Sequence, residues 1–338
     1  MNEAIQSAQV TLIQARSSAV FDAQSSLSSL SELSLQLLEE QKKSWPQLAQ
    51  GYASLSSVKL REIRCDGFSV FLQYNPGRIV STGAKVDEKT IRERACFLCV
   101  PNLPPPQKAI LYRGEFLVLC NPAPIFHQHL TISHINHIPQ AIEPFVQTLL
   151  DLARDMSPRF TVFYNGPRCG ASAPDHMHFQ TNPTGMIPVE NEAADDARRA
   201  LKKKVNAVSL WSLERYGRQV TIFESDNKEN LQTVLLSVIA TLRKATRSTE
   251  EPMMNMLCSY RSSGWRVILF PRRRHRPDVY FKEGEEKVLI SPAAVDIGGL
   301  VITPVEKDFN TVDATMIQDI FEEVSLERGN IEEVIASL

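Results

Sequence analysis

The sequence predicts an α+β fold in which an antiparallel sheet with flanking helices is built twice. Short β-rich runs alternate with longer segments of helical periodicity. The order strand–strand–helix–strand–strand occurs in both halves of the chain, which indicates a duplicated unit. The dipeptide Asp66-Gly67 between two β-rich runs is a hairpin signal, which is typical of antiparallel pairing.

The first segment, residues 1–57, is predicted to be helical because apolar residues such as Leu30, Leu37 and Leu38 recur at helical spacing. The pattern then changes, and residues 58–195 are predicted to form the first unit. Its predicted elements are strands at 58–65, 68–74, 115–120, 129–133 and 159–164, a helix at 144–156, and a strand that begins at residue 176.

The second unit is predicted over residues 196–338, after an irregular stretch that follows Pro183. Because it has no His-x-His motif, the duplication would make it the degenerate, non-catalytic half. Its predicted elements are strands at 220–224, 253–260, 265–270 and 300–303, and helices at 230–245 and 314–324.

Composition and charge are those of an ordinary globular protein. Of the 338 residues, 43% are hydrophobic and 22% are charged, and the formal net charge is -2. This balance gives no overall attraction to nucleic acid or to an anionic membrane. No apolar run is long enough to span a bilayer, and the N-terminus lacks the pattern of a secretory signal, so we expect a cytoplasmic protein.

The cysteines and histidines are concentrated in one part of the chain. Cys96-Phe97-Leu98-Cys99 is a Cys-x-x-Cys pair, and six of the seven histidines lie between residues 127 and 178. In a reducing compartment such a pair is a redox motif or half of a metal site, and the neighbouring imidazoles favour zinc. Two buried cysteines that act as small hydrophobes are the alternative.

The segment His176-Met177-His178-Phe179-Gln180 is predicted to be a half-buried strand. Because side chains alternate on a strand, His176, His178 and Gln180 share one face, and Met177 and Phe179 share the core face. Imidazole can ligate a metal or attack phosphorus, and an amide can donate to a phosphoryl oxygen. Two surface histidines on an edge strand are the alternative.

The loop before this strand predicts a phosphate site. Residues 165–175 are rich in Gly, Ala, Ser and Pro, and small residues let backbone N–H groups approach an anion. The candidate phosphate-binding residues of the loop are Asn165, Arg168, Gly170 and Ser172.

The loop and the motif together resemble the histidine-triad superfamily. The resemblance is to the branch that contains galactose-1-phosphate uridylyltransferase, diadenosine tetraphosphate phosphorylase and GDP-hexose phosphorylase, in which His-x-His-x-Gln follows an Asn-started loop. It implies that His178 is the nucleophile, which holds a nucleotidyl group after attack on the α-phosphate, and that Gln180 assists. It also implies a nucleotide or nucleotide-sugar substrate, a phosphate or sugar 1-phosphate acceptor, and possible pairing as a homodimer.

The same resemblance implies a structural zinc ion. In the uridylyltransferase a Cys-x-x-Cys pair, a later histidine and the first motif histidine bind zinc, and here Cys96, Cys99 and His176 match three of these ligands. The fourth ligand would be His137, with His134 as the alternative. Several relatives in the branch work without this zinc.

Further segments give candidates that remain open. Asn75 and Arg78 match a Gln-x-Asn-x-Gly-Arg segment of the phosphorylases, although a turn explains Asn-Pro-Gly equally well. The Arg-rich segment 266–277 is an electropositive wall for substrate phosphates, a solvated basic loop or a nucleic-acid patch. Asp296 is a candidate for a substrate contact, and His127 and His129 are candidates for the nucleotide pocket.

These observations favour a nucleotidyltransferase or phosphorylase that splits a nucleoside diphosphate sugar or a dinucleoside polyphosphate. A hydrolase of the same superfamily, with water as the acceptor, is one alternative. A zinc-stabilised nucleotide-binding protein without catalytic activity is the other. The sequence does not distinguish the base or the sugar.

Overall fold

The fold combines one large sheet, one small sheet and helices on both sides. The computed structural model describes residues 2–24, 26–83 and 87–338. The strands of this part are β1 (Ser17–Phe21), β2 (Lys59–Arg64), β3 (Ser69–Tyr74), β4 (Ala109–Tyr112), β5 (Phe116–Cys120), β6 (Leu130–His134), β7 (Phe160–Asn165), β8 (His178–Pro183), β9 (Arg199–Val205), β10 (Val208–Leu213), β11 (Thr221–Ser225), β12 (Met254–Arg261), β13 (Gly264–Pro271) and β14 (Leu300–Thr303).

The helices flank these strands and begin with polar caps where the sequence offers them. Ser29 and Glu32 form a capping box at the start of α2, and Asn227 caps α8. The helices of the described residues are α1 (Asn2–Arg16), α2 (Leu30–Ser44), α3 (Pro46–Ala53), α4 (Ile79–Thr82), α5 (Glu88–Glu93), α6 (Val146–Asp155), α7 (Pro188–Glu192), α8 (Lys228–Ala245), α9 (Ala294–Ile297), α10 (Glu306–Thr311), α11 (Ala314–Val324) and α12 (Arg328–Ser337).

The large sheet consists of two units with the same topology. Its strand order is β1-β4-β5-β6-β8-β7-β12-β13-β11-β10-β9, and all neighbours are antiparallel except β1 and β4. Residues 109–183 give the spatial order β4-β5-β6-β8-β7, and residues 199–271 give the order β9-β10-β11-β13-β12, with α6 and α8 in equivalent places. We call these the first repeat and the second repeat. They join where β7 pairs with β12.

The small sheet connects the two ends of the chain. The predicted hairpin of β2 and β3 is present, with Gly67 at φ 85° in its turn. It does not join the large sheet, because β3 pairs in parallel with β14. The predicted α+β class with a large sheet and flanking helices is therefore confirmed, while the predicted unit boundaries at 57/58 and 195/196 stay predictions.

Two hydrophobic cores lie on opposite faces of the large sheet. One packs the apolar sides of α2, α6, α8 and α12 against residues such as Met177, Phe179 and Val267. The other packs the small sheet, α9 and α11 against residues such as Ile268 and Phe270. In the described residues no helix is both long and apolar enough to cross a membrane.

Candidate functional site

A cavity of about 430 Å³ lies where the first repeat meets residues from the second half of the chain. We call it the central cavity. From the first half its polar lining includes Arg78, Arg94, Asn165, Ser172, His178 and Gln180. From the second half it includes His275, Arg276, Ser291 and Asp296.

His178 begins β8, and its imidazole is held in one tautomer. Its Nδ1 lies 2.8 Å from the backbone oxygen of His176, and a carbonyl only accepts, so Nδ1 carries the hydrogen. Nε2 then keeps its lone pair on the side of the central cavity. Burial lowers the pKa of His178 to about 4, so the ring is neutral near pH 7. This is the state in which imidazole is a nucleophile.

The backbone of His178 is held by a side chain that the sequence analysis did not identify. Gln140 is buried, and its Oε1 accepts from the backbone N–H of His178 at 2.7 Å. Its Nε2 donates to the carbonyl of His178 at 3.0 Å and to that of Asn165 at 3.0 Å. One amide therefore fixes the distance between the start of β8 and the end of β7. A single Gln in a Pro-flanked loop gives no sequence signal for this role.

Gln180 is oriented by His129, which is fully buried behind it. The backbone N–H of Ile125 donates to Nδ1 of His129 at 3.2 Å, so the hydrogen of this ring is on Nε2. Nε2 donates to Oε1 of Gln180 at 2.9 Å. The amide group of Gln180 is therefore left with its two N–H donors for a ligand. His129 was a candidate for the pocket lining, and it lies instead behind the residue that lines the pocket.

The loop before β8 supplies a row of backbone donors. Gly170, Ala171 and Ser172 line the central cavity, and their N–H groups have no acceptor among the described residues. Gly170 has φ 96°, and a Cβ there would lie 2.5 Å from the Cβ of Ala293, so only glycine fits. Successive free N–H groups of this kind form an anion site.

The other predicted phosphate residues have different positions. Arg78 lines the cavity and donates to the carbonyl of Ala123 at 2.6 Å. Asn165 also lines it, but its Oδ1 accepts from Asn255 and from the backbone N–H of Ala294. Asn75 is buried outside the lining, and Arg168 is half exposed near Ser248.

The four predicted metal ligands lie together. The ligand atoms of Cys96, Cys99, His137 and His176 are all within 4.8 Å of one another. Sγ of Cys99 lies 3.2 Å from Nδ1 of His137, and Sγ of Cys96 lies 3.4 Å from Nδ1 of His176. A tetrahedral zinc ion with two thiolates and two imidazoles would separate sulfur from nitrogen by about 3.6 Å, so the cluster fits that ion.

The surroundings of the cluster orient its imidazoles. Nε2 of His176 donates to the carbonyl of His134 at 2.8 Å, which leaves Nδ1 to face the thiolates. Nε2 of His137 lies 3.7 Å from Asp175, which in turn is paired with Arg94 at 2.6 Å. Histidines that ligate metals commonly donate their second N–H to a carbonyl or a carboxylate, as His176 does here. The ring of His134, the alternative ligand, lies outside the cluster.

The Arg-rich segment after β13 divides into three roles. Arg273 and Arg274 bind carbonyl and carboxylate groups at the end of α11. Arg272 is buried, and its N–H groups donate to four backbone carbonyls and to the amide oxygen of Asn255. Arg276 and His275 line the central cavity. The interpretations that the sequence allowed include an electropositive wall and a solvated loop, and the segment contains both.

Two family models match adjacent parts of the chain. Residues 37–183 match a family model described as a domain of unknown function, DUF4922. Residues 188–338 match the model described as "GDPGP1-like, C-terminal domain". No curated protein sequence matches the chain significantly.

Solved structures share the fold at low identity. The yeast Ap4A phosphorylase Apa2 in complex with AMP is 13% identical, with 86% of this chain and 96% of that chain covered and a TM-score of 0.53. Its complex with Ap4A is 11% identical, with 86% of this chain and 97% of that chain covered and a TM-score of 0.52. A uridylyltransferase mutant is 10% identical, with 82% of this chain and 99% of that chain covered and a TM-score of 0.37.

The fold defines a two-repeat α+β protein with a histidine-bearing strand beside the central cavity. Residues 188–338 match the GDPGP1-like C-terminal domain and the fold is shared with the yeast Ap4A phosphorylase, in agreement with the resemblance that the His-x-His-x-Gln motif carries.

Proposed function

We propose that the protein is a nucleotidyltransferase of the phosphorylase type, which acts on a nucleoside diphosphate sugar or a dinucleoside polyphosphate. The observation that carries the proposal is the geometry of His178. Its Nδ1–H is bound to the carbonyl of His176, and its Nε2 faces a cavity with free amide donors beside it. The fold shared with the yeast Ap4A phosphorylase, which was solved with AMP and with Ap4A, supports a nucleotide ligand.

In the first half-reaction, Nε2 of His178 attacks the α-phosphorus of the donor. A P–N bond forms, the bond from this phosphorus to the bridging oxygen breaks, and the leaving group departs as a phosphate with the electron pair. The carbonyl of His176 stabilises the positive charge that develops on the ring. The amide of Gln180 and the N–H groups of residues 170–172 bind the phosphoryl oxygens.

In the second half-reaction, an oxygen of an acceptor phosphate attacks the same phosphorus and His178 is released. The acceptor is inorganic phosphate or a sugar 1-phosphate. Because the reaction passes through a covalent intermediate, each half can be measured separately.

We also propose that Cys96, Cys99, His137 and His176 hold a structural zinc ion. The donor set and its distances fit four-coordinate zinc, which leaves no open position for chemistry. A bound ion would fix the loop 172–176 and the first residue of β8. His176 and His178 would then have separate roles, one in the metal site and one at the α-phosphate.

The test is covalent labelling. Wild-type protein incubated with α-labelled nucleotide donors should acquire an acid-labile, base-stable label on His178. The variant His178→Ala should acquire none, and His176→Ala should retain part of it. His127 is exposed and outside the cavity, so His127→Ala is the matched control and should label as the wild type does.

The fate of the label distinguishes the alternatives. Release of a nucleoside diphosphate by phosphate identifies a phosphorylase, whereas release of the monophosphate by water alone identifies the hydrolase. If no nucleotide labels the wild type but one of them raises its melting temperature, the protein is a nucleotide-binding protein and the proposal is wrong. A homodimer and a cytoplasmic location stay predictions.

A further inference from the structure

The first helix and the first strand of the chain lie outside both matched family models. Those models cover residues 37–183 and 188–338, whereas α1 and β1 end at residue 21. β1 pairs in parallel with β4, and Ile13 of α1 is buried in an apolar cluster with Val100 and Leu103. This N-terminal segment is therefore packed onto the chain just before β4.

The segment that it covers forms part of the central cavity. Residues 103–107 have the sequence Leu-Pro-Pro-Pro-Gln, and we call them the proline wall. Leu103, Pro104 and Gln107 line the cavity. Because proline has no N–H, the wall cannot pair as a strand, and its carbonyls need donors from elsewhere in the protein.

Arg16, the last residue of α1, supplies most of these donors. Its Nη1 donates to the carbonyls of Pro104 at 2.8 Å and Pro105 at 2.7 Å, and its Nη2 donates to that of Leu103 at 3.1 Å. The carbonyl of Gln107 lies 3.3 Å from the same Nη1. Hydrogen bonds from a charged donor are roughly twice as strong as neutral ones. One guanidinium group thus spans the wall from its first residue to its last.

Gln41 of α2 binds the carbonyl that Arg16 leaves. Its Nε2 donates to the carbonyl of Pro106 at 3.0 Å, and its Oε1 accepts from the backbone N–H of Lys108 at 2.8 Å. Every carbonyl of the proline wall is therefore within 3.3 Å of a donor on Arg16 or Gln41. The position of the wall depends on these two side chains.

The proline wall gives the cavity an apolar part. Leu103 shares its buried cluster with Leu119, which also lines the cavity, whereas Gln180 and residues 170–172 line it with hydrogen-bond donors. The donors suit phosphoryl oxygens, and the apolar lining suits the nucleoside part of the same ligand. A shift of the wall would change how that part fits.

We propose that Arg16 is a positioning residue of the nucleotide site, which holds the proline wall against the nucleoside part of the donor. This inference rests on the proposed function, from which it takes the nucleotide as the ligand. Arg16 contacts the back of the wall and lies outside the lining of the cavity, so it should set affinity and leave the reaction at phosphorus unchanged.

The experiment separates affinity from chemistry. AMP, GMP and UMP are titrated into wild type and Arg16→Gln by calorimetry, and the α-labelled donors are titrated in the labelling assay. In Arg16→Gln the dissociation constant and the half-saturating donor concentration should rise about tenfold. The labelling rate of His178 at saturation should stay within about twofold, because no transition-state contact is lost.

Hydrogen exchange tests the wall without any ligand. Leu103 and Gln107 are the two residues of the wall that have a backbone N–H. Their exchange should become faster in Arg16→Gln, since their segment loses the donors that hold it. Exchange at Cys258 in β12, which is far along the sheet from the wall, should be unchanged.

Three variants make the result specific. Arg16→Lys should recover part of the affinity, since the charge is kept and the planar fork is lost. Gln41→Ala should raise the dissociation constant by roughly threefold, because only one carbonyl of the wall is released. Ser18→Ala is the matched control, because Oγ of Ser18 donates to the carbonyl of Ala109 at 3.1 Å, beyond the wall, and it should bind as the wild type does.

An unchanged dissociation constant in Arg16→Gln would overturn the inference. An equal loss of affinity in Ser18→Ala would overturn it too, since the whole N-terminal segment and not Arg16 would then be responsible. A nucleotide that binds the wild type without labelling His178 would refute the proposed function, and the binding titration would still decide the role of Arg16. If none of the nucleotides binds the wild type, both are wrong.

Discussion

The two repeats have the same strand order, and they differ in what covers one face of the equivalent strands β8 and β13. On β8, Phe179 packs into the helical core, and His178 and Gln180 on the other face meet the central cavity. On β13 both faces are filled, since Val267 packs into one core and Ile268 into the other. The two repeats therefore differ in which strand face is left open to a cavity.

The repeats also differ in their buried polar groups. In the first repeat these groups serve the site directly, as Gln140 and His129 do for His178 and Gln180. In the second half of the chain Asn255 and Arg272, which follows β13, hold backbone segments together. This half has no histidine motif, and it contributes a wall to the cavity that His178 lines.

Loss of the proposed zinc ion should have the largest effect on stability, because the four cluster residues join the segment 96–99 to the first repeat. Cys99→Ser should lower bound zinc below half an equivalent and lower the free energy of unfolding by several kcal/mol, roughly 3 or more. Metal analysis and urea unfolding measure the two effects. Cys65→Ser, outside the cluster, is the control.

A chelator gives the complementary result. It should destabilise the wild type and Cys65→Ser, and it should leave Cys99→Ser unchanged. Purified wild type without zinc and without a response to the chelator would show that the cluster is not a metal site.

A matched pair of truncations tests the difference between the filled face and the open face. Ile268 is 2% exposed on β13, so Ile268→Ala should cost about 2–4 kcal/mol in the free energy of unfolding. Gln180→Ala should cost less than about 1 kcal/mol, and it should slow the labelling of His178 by roughly 10²-fold. Urea unfolding and the rate of labelling measure the two variants.

The difference between the filled face of β13 and the open face of β8 is contradicted if each variant shows the effect expected of the other. A Gln180→Ala protein that is as destabilised as Ile268→Ala would place Gln180 in the core. An unchanged rate of labelling would remove its role at the phosphate.

The smallest effect is expected at Glu251, which joins the repeats. Its carboxylate accepts from Tyr164 Oη and from the backbone N–H of Ile142, both at 2.6 Å. Burial raises its pKa to about 7 from a usual value of 4.5. The folded state therefore binds this proton more tightly than the unfolded state, and stability falls as the pH rises from about 4.5 to 7.

Glu251→Gln should remove this dependence. At pH 8 the variant should be more stable than the wild type by about 1 kcal/mol, and at pH 4 the difference should be close to zero or reversed. Thermal unfolding at the two pH values measures it. If both proteins lose the same stability over this range, the Glu251 carboxyl does not titrate there.

Many elements follow from local sequence. The strand Leu300–Thr303 and the helix Ala314–Val324 have the predicted limits, and the Asp66-Gly67 hairpin is present. The prediction that the stretch after Pro183 is irregular is wrong, since this stretch contains β9 and β10. β9 is an edge strand with three consecutive lysines, and charge on an edge hides the apolar alternation of a strand. The prediction of a helical segment over residues 1–57 likewise missed the strand β1, which lies within it.

The sequence by itself determined which residues share a strand face and which cysteines form a pair, because alternation and spacing are local properties. His178 and Gln180 could be placed on one face in this way, whereas the grouping of Cys96, Cys99 and His176 as metal ligands was implied by the family resemblance. The tertiary structure placed His137, the predicted fourth ligand, with the other three and left His134 outside the cluster. It alone decided that His129 orients Gln180 and that Arg276 lines the same cavity as His178. These relations depend on strand pairing between distant segments, and no periodicity records which segments will pair.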